Sequence, residues 1–170
     1  MAPHKANNTS AHQYVTNDPL HQLFDAVDSV SVQGYDEQRR VIYWNKGSEL
    51  LYGYTKEYAT GKKLEDLIIP PPMQDAVIDA HREWLINDIE IPAAELTLQH
   101  QNGRNVTVFS SHVMFTNQHG VKQMYCIDID LSDVKQAQAQ AMDKQQMLEK
   151  VFEAIPDLYF LLKPDGTIVD

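Results

Sequence analysis

The sequence has 170 residues, 43% of them hydrophobic, and carries a formal net charge of −10. So acidic a chain lacks the basic surface with which proteins bind nucleic acid or anionic lipid. Its single cysteine, Cys126, excludes an intramolecular disulfide and a cysteine-ligated zinc cluster. Because no apolar run approaches the roughly 20 residues that span a bilayer, and the N-terminal residues lack the apolar core of a secretory signal, we expect a cytoplasmic protein.

The predicted elements begin after a polar stretch, residues 1–17, that we expect to be a disordered leader. Asp18 and Pro19 favour a short helix start, since aspartate caps helices and proline suits the first turn. Two strands, several short helices, a longer helix and three strands follow, at residues 30–36, 40–45, 44–68, 73–88, 93–100, 105–115 and 122–130. This order predicts an α+β fold, with the helices on one face of a five-stranded antiparallel sheet.

The segment after the last predicted strand is a polar helix with a seven-residue apolar repeat. Ser132 suits the N-cap of this helix. The repeat positions are Val134, Ala141, Leu148 and Ile155. We expect a coiled-coil linker over residues 134–154 that joins two copies into a homodimer, because so polar a helix gains little stability alone. A lone solvated helix is the alternative.

Two segments of the chain resemble each other. Residues 23–36 begin with LFDAV and residues 151–165 begin with VFEAI, and each continues into a β-rich run, a polar turn and a second apolar run. This repeat predicts one complete unit over residues 18–133 and the start of a second unit at 155–170. Because an unpaired strand is a liability, we expect the parent protein to continue.

The stretch VIYWNKGSELLYGYTKEYATGKKLEDLI, residues 41–68, resembles the signature of the PAS sensor family. In that family a strand ends in asparagine, a short helix leads to Gly-Tyr, and a further glycine precedes a Leu-x-Asp-Leu-Ile segment. Asn45, Gly53 and Gly61 match these positions. The turn QNGR and the junction DLSD also resemble family motifs. The resemblance covers residues 20 to 135, resumes at 151, and implies the PAS fold.

The resemblance implies a module that binds a small molecule between sheet and helices, or only dimerises, and that signals through its terminal helix. Asp130 and Ser132 would couple the last strand to that helix as a two-state contact, with a plain helix cap as the alternative. The candidate pocket residues are Val41, Tyr43, Val77, His81, Trp84, Phe109 and Tyr125, with Val108 and Cys126 as alternatives to the last two. Strand alternation predicts that Val41 and Tyr43 face the helices, whereas Ile42 and Trp44 face away.

The cofactor stays unknown at this stage. LOV-type flavin sensors carry a reactive cysteine on a helix, and the corresponding stretch, GKKLEDLIIPPP, has none. Haem-binding members use a histidine on the long helix. His81 lies on that helix, but Val77 takes the usual ligand position, and the two tryptophans are compatible with a non-covalent flavin. No pair of histidines has the spacing of metal ligands.

The sequence therefore predicts a bacterial sensory module rather than an enzyme. It contains neither a Gly-rich phosphate loop nor a nucleophile elbow. The tandem layout implies a downstream output domain, namely a histidine kinase, a diguanylate cyclase or a cyclic-di-nucleotide phosphodiesterase. Two alternatives stay open, a ligand-free dimerisation scaffold with a filled core and a haem sensor. If haem is bound, His81→Ala should abolish its Soret band.

Overall fold

The computed structural model describes residues 19–154. Its helices and strands are α1 Pro19–Asp25, β1 Ser31–Tyr35, β2 Val41–Trp44, α2 Lys46–Tyr52, α3 Lys56–Ala59, α4 Gln74–Asn87, β3 Ala94–Gln99, β4 Asn105–Thr116, β5 Lys122–Asp130 and α5 Ser132–Ala154. Two 3₁₀ turns, Leu64–Asp66 and Pro71–Met73, precede α4. The expected leader, Ile155 and the expected second unit lie outside the described residues.

The five strands form one antiparallel sheet in the order β2-β1-β5-β4-β3. The predicted α+β class and the five-stranded antiparallel sheet are confirmed. β5 is the central strand, so its side chains contact those of β1 on one side and of β4 on the other. Gly103 and Gly120 adopt positive φ angles of 85° and 77° in the two turns that connect β3, β4 and β5.

The core lies on the helix side of the sheet. Side chains from all five strands, from α2 and α4, and from the segment before α4 form one buried cluster that includes Trp44, Tyr52, Ile68, Trp84 and Val108. A second, smaller cluster lies on the opposite face and comprises Val32, Tyr43 and Tyr125, with Phe24 of α1 against it. The short N-terminal helix therefore covers part of the face that the other helices leave open.

The predicted sidedness of β2 is wrong for Tyr43 and Trp44. Tyr43 lies in the smaller cluster, where His21 of α1 stacks on its ring at 4.1 Å between centroids, and Trp44 is fully buried in the main core. The cause is a β-bulge, because Tyr35 pairs with Val41 while its neighbour Gly34 pairs with Tyr43. The extra residue in β2 reverses the alternation of side chains beyond it.

Helix α5 belongs to a second compact unit that begins at Ser132, separate from the unit that ends at Leu131. Asp133 in its first turn complements the positive end of the helix dipole. None of the side chains of α5 is buried. Its apolar residues Val134, Met147 and Leu148 are each more than half exposed.

Candidate functional site

The candidate site is a cavity of about 290 Å³ between the sheet and α4. Most of its wall is apolar and comes from α4, the segment before it and the strands. Representative wall residues are Ile68, Met73, Val77, Ala80, Leu96 and Met124. This volume is close to the lower end of the range for small-molecule sites, roughly 300 to 1,000 Å³, and an apolar wall is typical of them.

One end of the cavity is polar. Gln33 and Tyr35 reach it from β1, Ser110 and His112 from β4, and Asp128 from β5. The strand register brings them together, because Ser110 pairs with Asp128 across the β4–β5 ladder and β1 flanks β5 on its other side. Residues on one face of neighbouring strands are in contact distance. Three strands therefore contribute to a single polar cluster.

This polar end contains buried atoms whose hydrogen-bonding capacity is unused. Gln33 Oε1, the Tyr35 hydroxyl and Asp128 Oδ1 have no hydrogen-bond partner among the described residues. All three side chains are at most 1% exposed. An unpaired buried polar atom costs about 1 to 3 kcal/mol. A molecule in the cavity that pairs with these atoms would recover that free energy.

Asp128 is the carboxyl group of the polar end. Its Oδ2 accepts hydrogen bonds from the Tyr52 hydroxyl at 2.6 Å and from Gln33 Nε2 at 3.0 Å. Burial raises the pKa of Asp128, while hydrogen bonds from its neighbours oppose the increase. Burial also raises the pKa of Tyr35 and of Tyr52, so both phenols stay protonated at neutral pH.

A chain of buried hydrogen bonds connects Asp128 with the start of α2. Gln33 Nε2 donates to Asp128 and also to Ser31 Oγ. The hydroxyl of Ser31 lies 2.9 Å from Ser48 Oγ, which in turn lies 2.9 Å from Asn45 Oδ1. A change at the polar end of the cavity can therefore reach Asn45 through side chains alone.

Asn45 is the N-cap of α2 and also holds two backbone segments outside the helix. Its Oδ1 accepts hydrogen bonds from the backbone N–H of Ser48 and of Val32, both at 2.9 Å. Its Nδ2 donates to the carbonyl oxygen of Val30 at 2.8 Å and to that of Phe24 at 3.2 Å. The side chain thus joins α1, β1 and α2.

The seven candidate pocket residues divide between the two faces of the sheet. Val77 lines the cavity. Buried on the helix side but not part of the cavity wall are Val41, His81 and Trp84. Across the sheet from the cavity, Tyr43 and Tyr125 belong to the smaller cluster and Phe109 is 41% exposed. Of the open alternatives, Val108 lies in the main core and Cys126 lines the cavity.

The haem interpretation does not fit this cavity. His81 is 1% exposed, and neither of its ring nitrogens has a hydrogen-bond partner among the described residues. Burial lowers its pKa. However, His81 does not belong to the cavity wall, so it is not placed to ligate an iron atom there. Cys126 does line the cavity, but burial raises the pKa of its thiol, which is the opposite of what a reactive cysteine needs.

The sequence analysis did not identify the three residues of the polar end that carry the unpaired oxygen atoms. They are Gln33, Tyr35 and Asp128, and none of them was among the candidate pocket residues. A signal was nevertheless present, because Ser31, Gln33 and Tyr35 alternate on one face of β1, and polar groups on a buried face must find partners. Their sequence neighbours do not show which face is buried, and that information comes only from the folded sheet.

The remaining predicted residues lie at turns and at the boundary of the two units. Gly53 follows α2 with a φ of 81° and Gly61 has a φ of 80°, the left-handed region that favours glycine. Asp130 is the last residue of β5 and Ser132 the first of α5. Their expected switch contact stays a prediction.

Across residues 19–154, no helix has the length and apolar character needed to cross a membrane. The same part of the chain has no group of three or more His, Cys, Asp or Glu residues placed to hold a metal ion.

The described residues form an α+β module in which a five-stranded antiparallel sheet and α4 enclose a partly polar cavity. The sequence model of the PAS fold matches residues 41–128, more than half of the chain. The protein therefore belongs to the PAS family, which confirms the resemblance for this first module, and the second module that resumes at residue 151 stays a prediction. No curated protein matches the chain.

Solved structures agree with this assignment. The PAS domain of a protein from Colwellia psychrerythraea is 27% identical, with a TM-score of 0.57, and the match covers 68% of this chain and 99% of that one. A sensory box histidine kinase/response regulator from Burkholderia thailandensis is 17% identical, with a TM-score of 0.52 and coverages of 76% and 97%. The PAS domain of nitrogen regulation protein NR(II) from Vibrio parahaemolyticus is 13% identical, with a TM-score of 0.50 and coverages of 65% and 96%. At 17% and 13% identity, the similarities to the Burkholderia and Vibrio structures show a shared fold and nothing more.

Proposed function

We propose that this PAS module senses a small molecule bound in the cavity and relays its presence through α5 to an output domain in the same polypeptide. The observation that carries the proposal is the polar end of the cavity, where Gln33 Oε1, the Tyr35 hydroxyl and Asp128 Oδ1 are buried and unpaired among the described residues. A protein that needed only a filled core would gain stability by replacing such groups with apolar ones. Their presence favours a ligand over a ligand-free scaffold.

The route of the signal follows from the contacts of the polar end. Asp128 lies on β5, and α5 begins two residues after that strand ends. A ligand that hydrogen-bonds to Asp128 would act on the strand that leads directly into α5. The proposed output is a histidine kinase, a diguanylate cyclase or a cyclic-di-nucleotide phosphodiesterase of a bacterial, cytoplasmic signalling protein.

Filling the cavity should abolish ligand binding. In Ala80→Phe the added ring would occupy the cavity, because Ala80 lies on its wall. We expect native mass spectrometry of the wild-type protein, purified from cells without added ligand, to show a mass excess that is absent in Ala80→Phe. An absorption spectrum of the same samples would show whether the ligand is coloured.

The control is Ile86→Phe, which adds a ring on the same helix at a side chain that is 70% exposed. This variant should keep the mass excess. A mass excess that survives Ala80→Phe would place the ligand elsewhere and contradict the proposal. A wild-type protein of bare mass that binds no member of a small-fragment library would favour the ligand-free scaffold.

Homodimerisation is a second proposed function, favoured by exposed apolar side chains. On the outer face of the sheet they form a patch of Phe109, Val113, Phe115 and Ile129, each 41% to 51% exposed. On α5 they include Val134 and Leu148 of the predicted seam. Apolar patches of this kind mark interaction surfaces. A second copy of the chain would cover the seam of α5 with an identical seam.

Replacing Leu148 with glutamate should weaken the homodimer. A carboxylate inside a coiled-coil seam must lose its hydration without a partner, which costs enough free energy to raise the dimer dissociation constant by about tenfold or more. Sedimentation equilibrium would measure that constant. Gln146→Glu is the matched control, because position 146 lies on the face of α5 away from the seam and should leave the dimer intact. Equal effects of the two substitutions would exclude the seam.

A further inference from the structure

The polar end of the cavity offers a ligand two oxygen atoms that only accept hydrogen bonds when Asp128 is ionised, namely Gln33 Oε1 and Asp128 Oδ1. Gln33 Nε2 donates to Asp128 Oδ2 and to Ser31, so the free atom of its amide is the acceptor Oε1. The Gln33 amide and the Tyr52 hydroxyl both donate to Oδ2 of Asp128. The Ser110 hydroxyl lies near the same carboxyl group and helps to lower its pKa, but Oδ1 has no hydrogen-bond partner among the described residues.

The Tyr35 hydroxyl is able to donate, and His112 Nδ1, which is also buried and unpaired among the described residues, donates or accepts according to its tautomer. Gln33 Oε1 and the ionised Asp128 Oδ1 only accept, so a ligand that pairs with both must bring hydrogen-bond donors.

The cavity also has no positive charge of its own to balance Asp128. Within residues 19–154, no lysine or arginine lines it. The histidine in its wall, His112, has its pKa lowered mainly by burial, so it is neutral at pH 7. A buried carboxylate without a counter-ion is costly, and a cation that enters the cavity would remove that cost.

The rest of the cavity sets the size and character of the ligand. Beyond the polar end its wall is formed by aliphatic and thioether side chains such as Leu96, Ile68 and Met124. An apolar cavity of about 150 Å³ is large enough for benzene. A cavity of about 290 Å³ therefore holds a single ring or a short chain together with a polar group.

We propose that the ligand is a small hydrophobic amine, whose ammonium group donates hydrogen bonds to Asp128 Oδ1 and Gln33 Oε1 while its ring or chain lies against the apolar wall. This inference rests on the proposed function and specifies the ligand class. The ammonium supplies donors for these two acceptors and the positive charge that the cavity wall lacks among the described residues. By engaging Gln33 it would also act on the hydrogen-bonded chain that leads through Ser31 and Ser48 to Asn45.

The test compares three probes of nearly equal shape by isothermal titration calorimetry at pH 7. They are 2-phenylethylamine, which is cationic, 2-phenylethanol, which is neutral, and phenylacetate, which is anionic. We expect the amine to bind about tenfold more tightly than the alcohol, since a charge-assisted hydrogen bond adds more than 1.4 kcal/mol. Phenylacetate should not bind, because its carboxylate would face Asp128.

Asp128→Asn removes the charge with little change of shape. In this variant the affinity for the amine should fall about tenfold and become similar to that for the alcohol. Its circular dichroism spectrum and unfolding midpoint would show that it is folded. If it does not fold, the comparison of the three probes on the wild-type protein still decides the proposal. Ala80→Phe should bind none of the probes.

Several results would overturn the inference. An alcohol or an anion that binds the wild-type protein as tightly as the amine would show that charge does not select the ligand, while the cavity would stand as a ligand site. Equal binding of the amine to wild type and to Ala80→Phe would place the amine outside the cavity. Failure of the wild-type protein to bind the amine would also overturn the inference. The proposed sensory function is tested separately, by native mass spectrometry. A mass excess that survives Ala80→Phe would contradict that function.

Discussion

Replacing Asn45 with alanine should destabilise the protein by about 3 kcal/mol, because it leaves two buried backbone N–H groups without an acceptor. These are the N–H groups of Val32 and Ser48, which both donate to Asn45 Oδ1 at 2.9 Å. The carbonyl oxygens of Val30 and Phe24 lose the donor Nδ2 as well. Asn45 is 1% exposed, so water cannot readily replace these partners. Urea unfolding followed by circular dichroism would measure the change in free energy.

Thr55→Ala is the matched control, since Thr55 caps α3 in the same manner but at the surface. Its hydroxyl accepts one hydrogen bond, from Tyr58 N at 3.2 Å. The loss of an exposed cap of this kind costs about 1 kcal/mol. A cost for Asn45→Ala no greater than for Thr55→Ala would show that the contacts of Asn45 outside α2 contribute nothing to stability.

Replacing Gly47 with alanine should cost roughly 3 kcal/mol, the upper end of the usual range for overpacking. A Cβ atom at this position would lie 2.2 Å from the carbonyl oxygen of Val30 and 2.9 Å from that of Asp28. Both neighbours are backbone atoms, which cannot move aside as a flexible side chain would. In a helix with free space the same substitution would instead stabilise by about 1 kcal/mol. The sign of the measured change therefore tests the close approach of α2 to the segment before β1.

Gly61→Ala separates this steric effect from backbone strain. Gly61 has a φ of 80°, but a Cβ atom there would meet nothing within 4 Å. Its replacement should cost only the strain of a left-handed conformation, about 1 to 2 kcal/mol. Thermal unfolding of both variants would rank them, and a milder effect at Gly47 than at Gly61 would contradict the packing of α2 that the structure shows.

Much of the fold could be predicted from the sequence because its signals are local. Residues 41–68 carry a strand, a capping asparagine and two glycines in the order of the PAS family, and the structure has them in the same places. The position of Asn45 before α2 follows from the preference of asparagine for helix N-caps. The strand and turn patterns of residues 93–130 likewise determine β3, β4 and β5, since each is bounded by its own turn residues.

The candidate site could be predicted only in part, because it depends on which strands are neighbours. Val77 was found from the apolar face of α4, which is a property of the helix alone. Tyr43 was assigned to the wrong face because one extra residue in β2 reverses the alternation, and a bulge leaves no clear mark in the sequence. Phe109 and Tyr125 alternate with Val108 and Cys126, and only the sheet shows that Val108 and Cys126 are the members of these pairs on the helix side.

The sequence by itself determined the family, the order of the elements and the cap at Asn45, because helix caps, turns and strand patterns are each set by neighbouring residues. Only the tertiary structure decided the polar end of the cavity. Gln33, Ser110 and Asp128 are far apart in the chain and meet because β1 and β4 both pair with β5. Their proximity comes from strand register, and register is fixed by packing of the whole sheet rather than by any one strand.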